Sequence, residues 1–426
     1  MKTKLMFLAL FCFFINCSDE NTTSHTPIYE YNLTESVLIH NEEKVYNNLI
    51  LVCPNGGKSP YLVDKGGNIV KQWEFEIPLG NDFELLPNGK VLGIFKSTNP
   101  IFSFGGYGGI IRIYDQDNVL EWSYEVSNQT EIAHHDVEML QNGNVMIMIW
   151  EKIDVNTLQD YGVDFDQPIY TEKLIEVNTQ TNEIVWQWRS WDHIIQDHDA
   201  TANAFGNISE NPSKIDINYN LIDNGDFMHA NGIDIDENND LIYMSVNYYS
   251  EIWVIDHSTT TEEASVSSGG NYDKGGDLVY RFGNPEVYGD LDSERIFYNN
   301  HFPNLLENEV PGQQNLLVYS NYGENDLNQS SVYELELPNL LSLEPNNITN
   351  PEIVWYFTDE NLFYGKISGA DRLQNGNTII CEGDFGVWEV TPEKEVVWKY
   401  SNENFNSYWR SYGYSFGDSA LDYLVL

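Results

Sequence analysis

Basic residues are scarce in this chain: 21 Lys and Arg stand against 66 Asp and Glu, for a formal net charge of -45. A surface of that sign repels nucleic acid, whose binding rests on cations that neutralise phosphates. It also excludes a basic membrane-surface patch, since the few cations sit singly among acidic neighbours. Cysteine is sparse as well, at 4 residues. Cys12 falls in an N-terminal apolar run, and Cys53 and Cys381 each follow a short apolar run, the pattern of buried free thiols rather than of a disulfide or metal pair. Beyond the N-terminus no stretch is apolar enough to cross a membrane. No segment sustains helical periodicity, which excludes doubly wound α/β folds. Nucleotide and hydrolase signatures are missing too. Asn55-Gly-Gly-Lys-Ser59 lacks the earlier glycine of a phosphate loop, where Val52 stands, and no Gly-x-Ser-x-Gly elbow occurs. What the chain does have is apolar area: 41% hydrophobic and 14% aromatic residues, enough to offset chain entropy and exclude disorder.

Met1 to Asn16 reads as a secretory signal, with Lys2 and Lys4 before the apolar run Leu5 to Ile15. Phe14-Ile15-Asn16-Cys17 resembles a bacterial lipobox, which implies lipidation of Cys17 and an outer-membrane lipoprotein facing the periplasm or the cell surface. A plain secretory signal is the alternative. Ser18-Asp19-Glu20 looks like the acidic tether of surface lipoproteins. The expected organisation is a signal over 1–16, a flexible tether over 17–40 and one domain over 41–426, held to the membrane by its lipid anchor only.

A short strand ending in an aromatic recurs six times, at residues 67–73, 118–122, 182–186, 276–280, 351–355 and 394–398. Between the copies lie hairpin signals such as Leu86-Pro-Asn-Gly89, Leu140-Gln-Asn-Gly143 and Leu373-Gln-Asn-Gly376. Asn-Gly between alternating apolar runs marks a tight turn. A third strand type, as in Tyr61-Leu-Val-Asp64 and Ile252-Trp-Val-Ile-Asp256, completes a unit. This pattern predicts an all-β fold, a six-bladed β-propeller of four-stranded antiparallel blades. Its two long insertions, 190–228 and 257–276, are expected as loops on one face. The Trp and Tyr at the repeat ends are expected to pack blade against blade. Asp234 to Asp240 has calcium-like oxygen spacing but reads as a polar hairpin turn.

Four of the nine histidines share a position at the start of a hairpin: His134, His135, His229 and His301. The start of each innermost propeller strand rims the central channel, so these imidazoles converge on one cavity. Alternation along a strand lets only one of His134 and His135 face it, and Asn231 shares the face of His229. Two other readings of the set stay open. In one the histidines cap strands and satisfy buried backbone groups; in the other His134, His229 and His301 join Asp136 in a metal centre. The second lacks a local ligand signature, and no metal or cofactor is expected.

Several segments together resemble the bacterial arylsulfate sulfotransferase family: Tyr61-Leu-Val-Asp64 with Gly67 to Trp73, His134-His-Asp-Val-Glu-Met-Leu-Gln-Asn-Gly143, His229-Ala-Asn-Gly232, Trp253 to Thr261, and Gly275 to Pro285. The likeness runs from about residue 60 to 400. It implies a six-bladed propeller that moves a sulfuryl group from an aryl sulfate donor to a phenolic acceptor through a sulfated histidine, with no nucleotide donor. By position, the resemblance makes His301 the sulfated residue, His229 and Asn231 the His-x-Asn pair, and His134-His135 the other channel histidine. The family's channel arginine falls on Asn247 here, and Arg281 is the candidate substitute cation or else a structural residue. The alternative to an enzyme is a noncatalytic surface propeller that binds glycans or aromatic ligands.

Overall fold

The computed structural model describes residues 29–306, 310–345 and 347–424. The expected signal and the expected lipidation site, Cys17, lie outside the described residues. Within them the fold is all-β and propeller-like, and the single α-helix is the short Val155–Asp160. The first sheet takes its innermost strand, Tyr408–Ser415, from the C-terminus and pairs it with Asn48–Pro54, Tyr61–Val63 and Ile69–Gln72 from the N-terminus. That exchange closes the ring with main-chain hydrogen bonds between the chain's two ends.

Six separate four-stranded blades are not what the sheets show. Four sheets have four or five strands, and one has eight. The fusion has a local cause: Asn81, in the extended but positive region at φ 134, pairs in parallel with His135 and joins the sheet of Leu79–Leu85 to that of Glu131–Met139. The expected tether also ends early, because Val37–His40 pairs with Val396–Tyr400 as a fifth strand of the last sheet.

The innermost strands are Leu79–Leu85, Glu131–Met139, Ala230–Asp236, Tyr298–Leu305, Gly369–Arg372 and Tyr408–Ser415, and consecutive members touch around a central channel. Four of the five repeat-end tryptophans tie their unit to the next, while the Trp73 indole N–H has no partner among the described residues. Trp122 donates to Asn182, Trp186 to Thr259, Trp355 to the Pro392 carbonyl, and Trp398 back across the closure to the Lys65 carbonyl. These indoles thus bury apolar area and satisfy their one donor in the same contact. The hairpins follow the turn signals in part. Asn88 and Gly89 are both left-handed, whereas at 142–143 and 375–376 only the glycine is. Asp236 accepts from the backbone N–H of Asn238 and Asn239, so the calcium-like segment is a turn.

The two long insertions are tied to each other. His193 is fully buried, with Nδ1 at 2.6 Å from Asp277 and Nε2 at 2.8 Å from the Ala264 carbonyl. Lys214 meets the same Asp277 carboxylate.

Candidate active site at the histidine end of the channel

Regular strands would send consecutive side chains to opposite faces, but here the innermost strands are bulged where the candidate residues sit. Ala133 faces Ile149 and Val137 faces Ile147, so residues 134–136 stand opposite Met148 alone. His135 takes up the excess with φ 53. Ala230 faces Val246 and Gly232 faces Ser245, which leaves Asn231 unpaired, just after left-handed His229 (φ 50). His301 faces Tyr319 and Pro303 faces Val318, which leaves Phe302 unpaired at φ 53. Bulges re-aim side chains and recur beside active sites. Non-glycine residues held left-handed cost about 1–3 kcal/mol each and persist only where the surroundings impose them.

The bulge corrects the expectation that only one of His134 and His135 faces the cluster. Their Nδ1 atoms lie 2.8 Å apart, so one ring donates to the other. The His134 ring stacks on Trp150 at 3.9 Å, and the His135 ring meets His229 edge-on at 4.9 Å. Burial holds both His134 and His135 well below the usual histidine range, and both are neutral. His134 Nε2 and Glu172 Oε2 are 3.0 Å apart but off the axis of a hydrogen bond. Burial raises the Glu172 acid well above the ordinary carboxylate range, so this pair is neutral on both sides. His135 Nε2 is covered by Gly106: a Cβ there would lie 2.0 Å from it.

His229 behaves oppositely. Burial disfavours charge on its ring, but Asp226, at 2.5 Å from Nδ1, outweighs it by charge and hydrogen bond and raises the pKa. The ring stacks on Tyr248 at 4.7 Å. His229 is thus the proton-carrying member of the set.

His301 is 5% exposed, and burial lowers its pKa to about 3, which keeps the ring neutral and nucleophilic. Its Nδ1 is 2.6 Å from Asn321 Oδ1. The preceding carbonyl, of Asn300, accepts from Asn231 Nδ2 at 2.8 Å, Asn247 Nδ2 at 3.0 Å and Ser245 Oγ at 3.3 Å. Asn231 and Asn247 are therefore brought to His301, and both hold the backbone that carries it. Arg281 is not brought there. Its guanidinium is fully buried against Glu251 and the Lys214 carbonyl, between Trp253 and Tyr288.

Four contributors were not singled out from sequence: Trp150, Asp226, Asn321 and Trp409. Asp226 had a signal in its spacing, three residues before His229. Trp409 comes from the C-terminal strand, and its ring lies 5.7 Å from His135 and 6.4 Å from His301. It is 1% exposed, and its indole N–H has no partner among the described residues. The adjacent Arg410 is the cation nearest the cluster, but Asp136 at 2.9 Å and Asp82 at 3.3 Å hold it. It stacks on Phe302 at 4.1 Å and donates to the Asn231 carbonyl.

Farther along the same innermost strands the channel changes character. A cavity of about 770 Å³ is lined there by Glu84, Glu138, Asp234, Asp371, Arg372 and Arg410. Burial, and then repulsion from Asp82 and Asp234 respectively, raises Glu84 and Glu138 well above the usual range. Burial lifts Asp136 to about 7 despite Arg410.

Comparison with known proteins gives one family match: arylsulfotransferase (ASST), over residues 34–410. No curated protein matches the chain. Among solved structures, a protein of unknown function from Bacteroides caccae is 12% identical at a TM-score of 0.49, covering 87% of this chain and 99% of that one. A putative 6-phosphogluconolactonase from Bacteroides fragilis is 9% identical at 0.41, covering 86% and 97%. Scores this low carry no argument about function.

Proposed function

Because the chain belongs to the arylsulfotransferase family, we propose that it transfers a sulfuryl group between small aromatic alcohols by way of His301. The neutral, buried His301 ring within a histidine and asparagine cluster is the observation that carries this reading. A ring nitrogen of His301 attacks the sulfur of an aryl sulfate, the S–O bond to the aryl group breaks, and the departing oxygen takes a proton from His229. The second half runs in reverse. His229 accepts the proton of an acceptor phenol, the phenolate oxygen attacks the sulfur, and the N–S bond breaks to restore neutral His301. Asp226 supports this role by keeping His229 basic enough to hold a proton between the half-reactions. The indole N–H of Trp409 is the donor available to the reacting group, and the neutral His134–His135 pair, bonded to itself through the two Nδ1 atoms, packs beside it in a water-poor setting.

Two expectations about the whole protein belong to the same proposal. The eight-stranded sheet joins its halves through one register pair, so we read it as two blades, which brings the propeller to six. We also propose that Cys17 carries the lipid that anchors the domain to the outer membrane. Cys17→Ser should then move the protein from the membrane fraction to the soluble fraction.

The test of function is turnover of an aryl sulfate with a phenol acceptor, combined with intact mass after donor alone. Wild-type protein should gain one sulfuryl group and His301→Ala none. A wild-type protein that gains no group and turns over no substrate would favour the noncatalytic reading, a propeller that binds glycans or aromatic ligands.

A further inference from the structure

The His301 ring has two nitrogens, and only one without a hydrogen can act as a nucleophile. Asn321, fully buried, decides which one. Its Nδ2 has two hydrogens, and both are committed: one to the Tyr364 carbonyl at 2.8 Å and one to the Ile367 carbonyl at 2.9 Å. Its Oδ1 must therefore be the atom that faces His301 Nδ1 at 2.6 Å. An amide oxygen only accepts, so Nδ1 carries the hydrogen and Nε2 keeps its lone pair. Asn247 Nδ2 lies farther from the same Nδ1, at 3.3 Å, and its shorter bond is to the Asn300 carbonyl at 3.0 Å, so the Asn321 oxygen at 2.6 Å is the closer partner and sets the tautomer.

The clamp on Asn321 is itself imposed by its surroundings. Ile367 and Ser368 are left-handed, at φ 46 and 88. For a β-branched residue such as isoleucine that region is an outlier. The turn aims the Ile367 carbonyl at Asn321, and Ser368 Oγ accepts from the Gly383 N–H to hold it there. The backbone carbonyl of Asn321 accepts from Ser330 Oγ at 2.8 Å, which fixes the other end of the residue.

We propose that Asn321, held by the strained turn at 364–368, is the positioning residue that fixes the His301 tautomer and leaves Nε2 as its one nucleophilic nitrogen. This rests on the proposed role of His301, but the tautomer itself is measurable without catalysis. In ¹⁵N-histidine NMR of the full protein, with His301 assigned by its loss in His301→Ala, the wild type should show hydrogen on Nδ1. Asn321→Leu removes the acceptor. It should shift the ring toward the Nε2–H form and lower kcat/KM roughly tenfold or more, the worth of one buried hydrogen bond. Asn321→Asp keeps an acceptor for Nδ1 but loses both donors to the Tyr364 and Ile367 carbonyls, so it should retain the Nδ1–H signature and more activity than Asn321→Leu, at a cost in stability. Ile367→Gly adopts the left-handed turn without strain and leaves the amide in place, so it should keep the Nδ1–H signature in a folded protein. An Nε2–H ring in the wild type, or an unchanged signature in Asn321→Leu, would overturn the proposal. An Nδ1–H ring in a protein that turns over no aryl sulfate would leave the clamp standing and remove the proposed reaction instead.

Discussion

The two ends of the channel are built from the same innermost strands, yet they differ in backbone, charge and pH response. At the histidine end the strands are bulged and left-handed residues recur, and the side chains are imidazoles, amides and indoles, with two carboxyl groups, Asp226 on His229 and Glu172 beside His134. At the cavity end the pairing is regular: Glu138, Asp234 and Asn304 sit opposite Met146, Tyr243 and Leu317, and carboxylates dominate. Arg410, held by Asp82 and Asp136, separates the two. The difference shows how an acidic protein keeps a site for an anion. Most of the acid is displaced along the channel axis, where Arg410 is held by Asp82 and Asp136, and the carboxyl groups that remain, Asp226 and Glu172, are paired with His229 or held neutral. At the bulges the backbone, not the side-chain charge, does the re-aiming.

The largest effect should come from the histidine end. His301→Ala should cut kcat/KM on the order of a thousandfold or more, because it removes the nucleophile, and a continuous assay of phenol release reads it. His229→Gln removes the proton carrier, and a loss of roughly a hundredfold or more is expected, least severe with donors whose phenol leaves readily. An equal loss across donors of differing phenol acidity would contradict a proton-transfer role. Arg410→Met tests the divider. It leaves Asp82 and Asp136 unpaired and should destabilise by about 3–5 kcal/mol at neutral pH in denaturant unfolding.

The pH dependence separates the ends further, and the signs oppose. His301 has a folded pKa lowered to about 3, so its contribution is present above the unfolded value and is lost as pH falls through about 6.5 toward 3. Asp136, raised to about 7, works the other way. The folded state binds its proton more tightly, so stability is gained below about 7 and lost as pH rises through it. Glu138 is raised in the same sense. Glu138→Gln should therefore stabilise the protein above neutral pH and change it little near pH 4, read as Tm against pH. The smallest effect is expected for Trp409→Phe. It removes an N–H that has no partner among the described residues and leaves a small cavity where the rest of the indole was, so it should lower Tm slightly while lowering kcat/KM several-fold if that N–H meets the sulfuryl oxygens.

Much of this was legible in the sequence, and the gaps have physical causes. The recurring strand and turn signals foretold all-β sheets and inter-unit tryptophans, because these depend on local periodicity. They did not foretell the strand at 37–40 or the fused sheet, both of which depend on pairings between distant segments. The histidines could be placed at strand starts, but strand alternation failed for His134 and His135, since a bulge leaves no trace in the two-residue period. The missing arginine was sought at Asn247 and Arg281. Asn247 secures the His301 backbone, Arg281 is locked on Glu251, and the cation near the site is Arg410, on a strand that reaches the channel only through ring closure. Asn321 was invisible for a related reason: its role comes from three hydrogen bonds to segments 20 or more residues away.

The account stands most directly on what happens to the protein in the presence of an aryl sulfate alone. Intact mass followed by peptide mapping should show one sulfuryl group on His301 of the wild type, discharged on addition of a phenol. No adduct on the wild type, or an adduct that persists in His301→Ala, would contradict it.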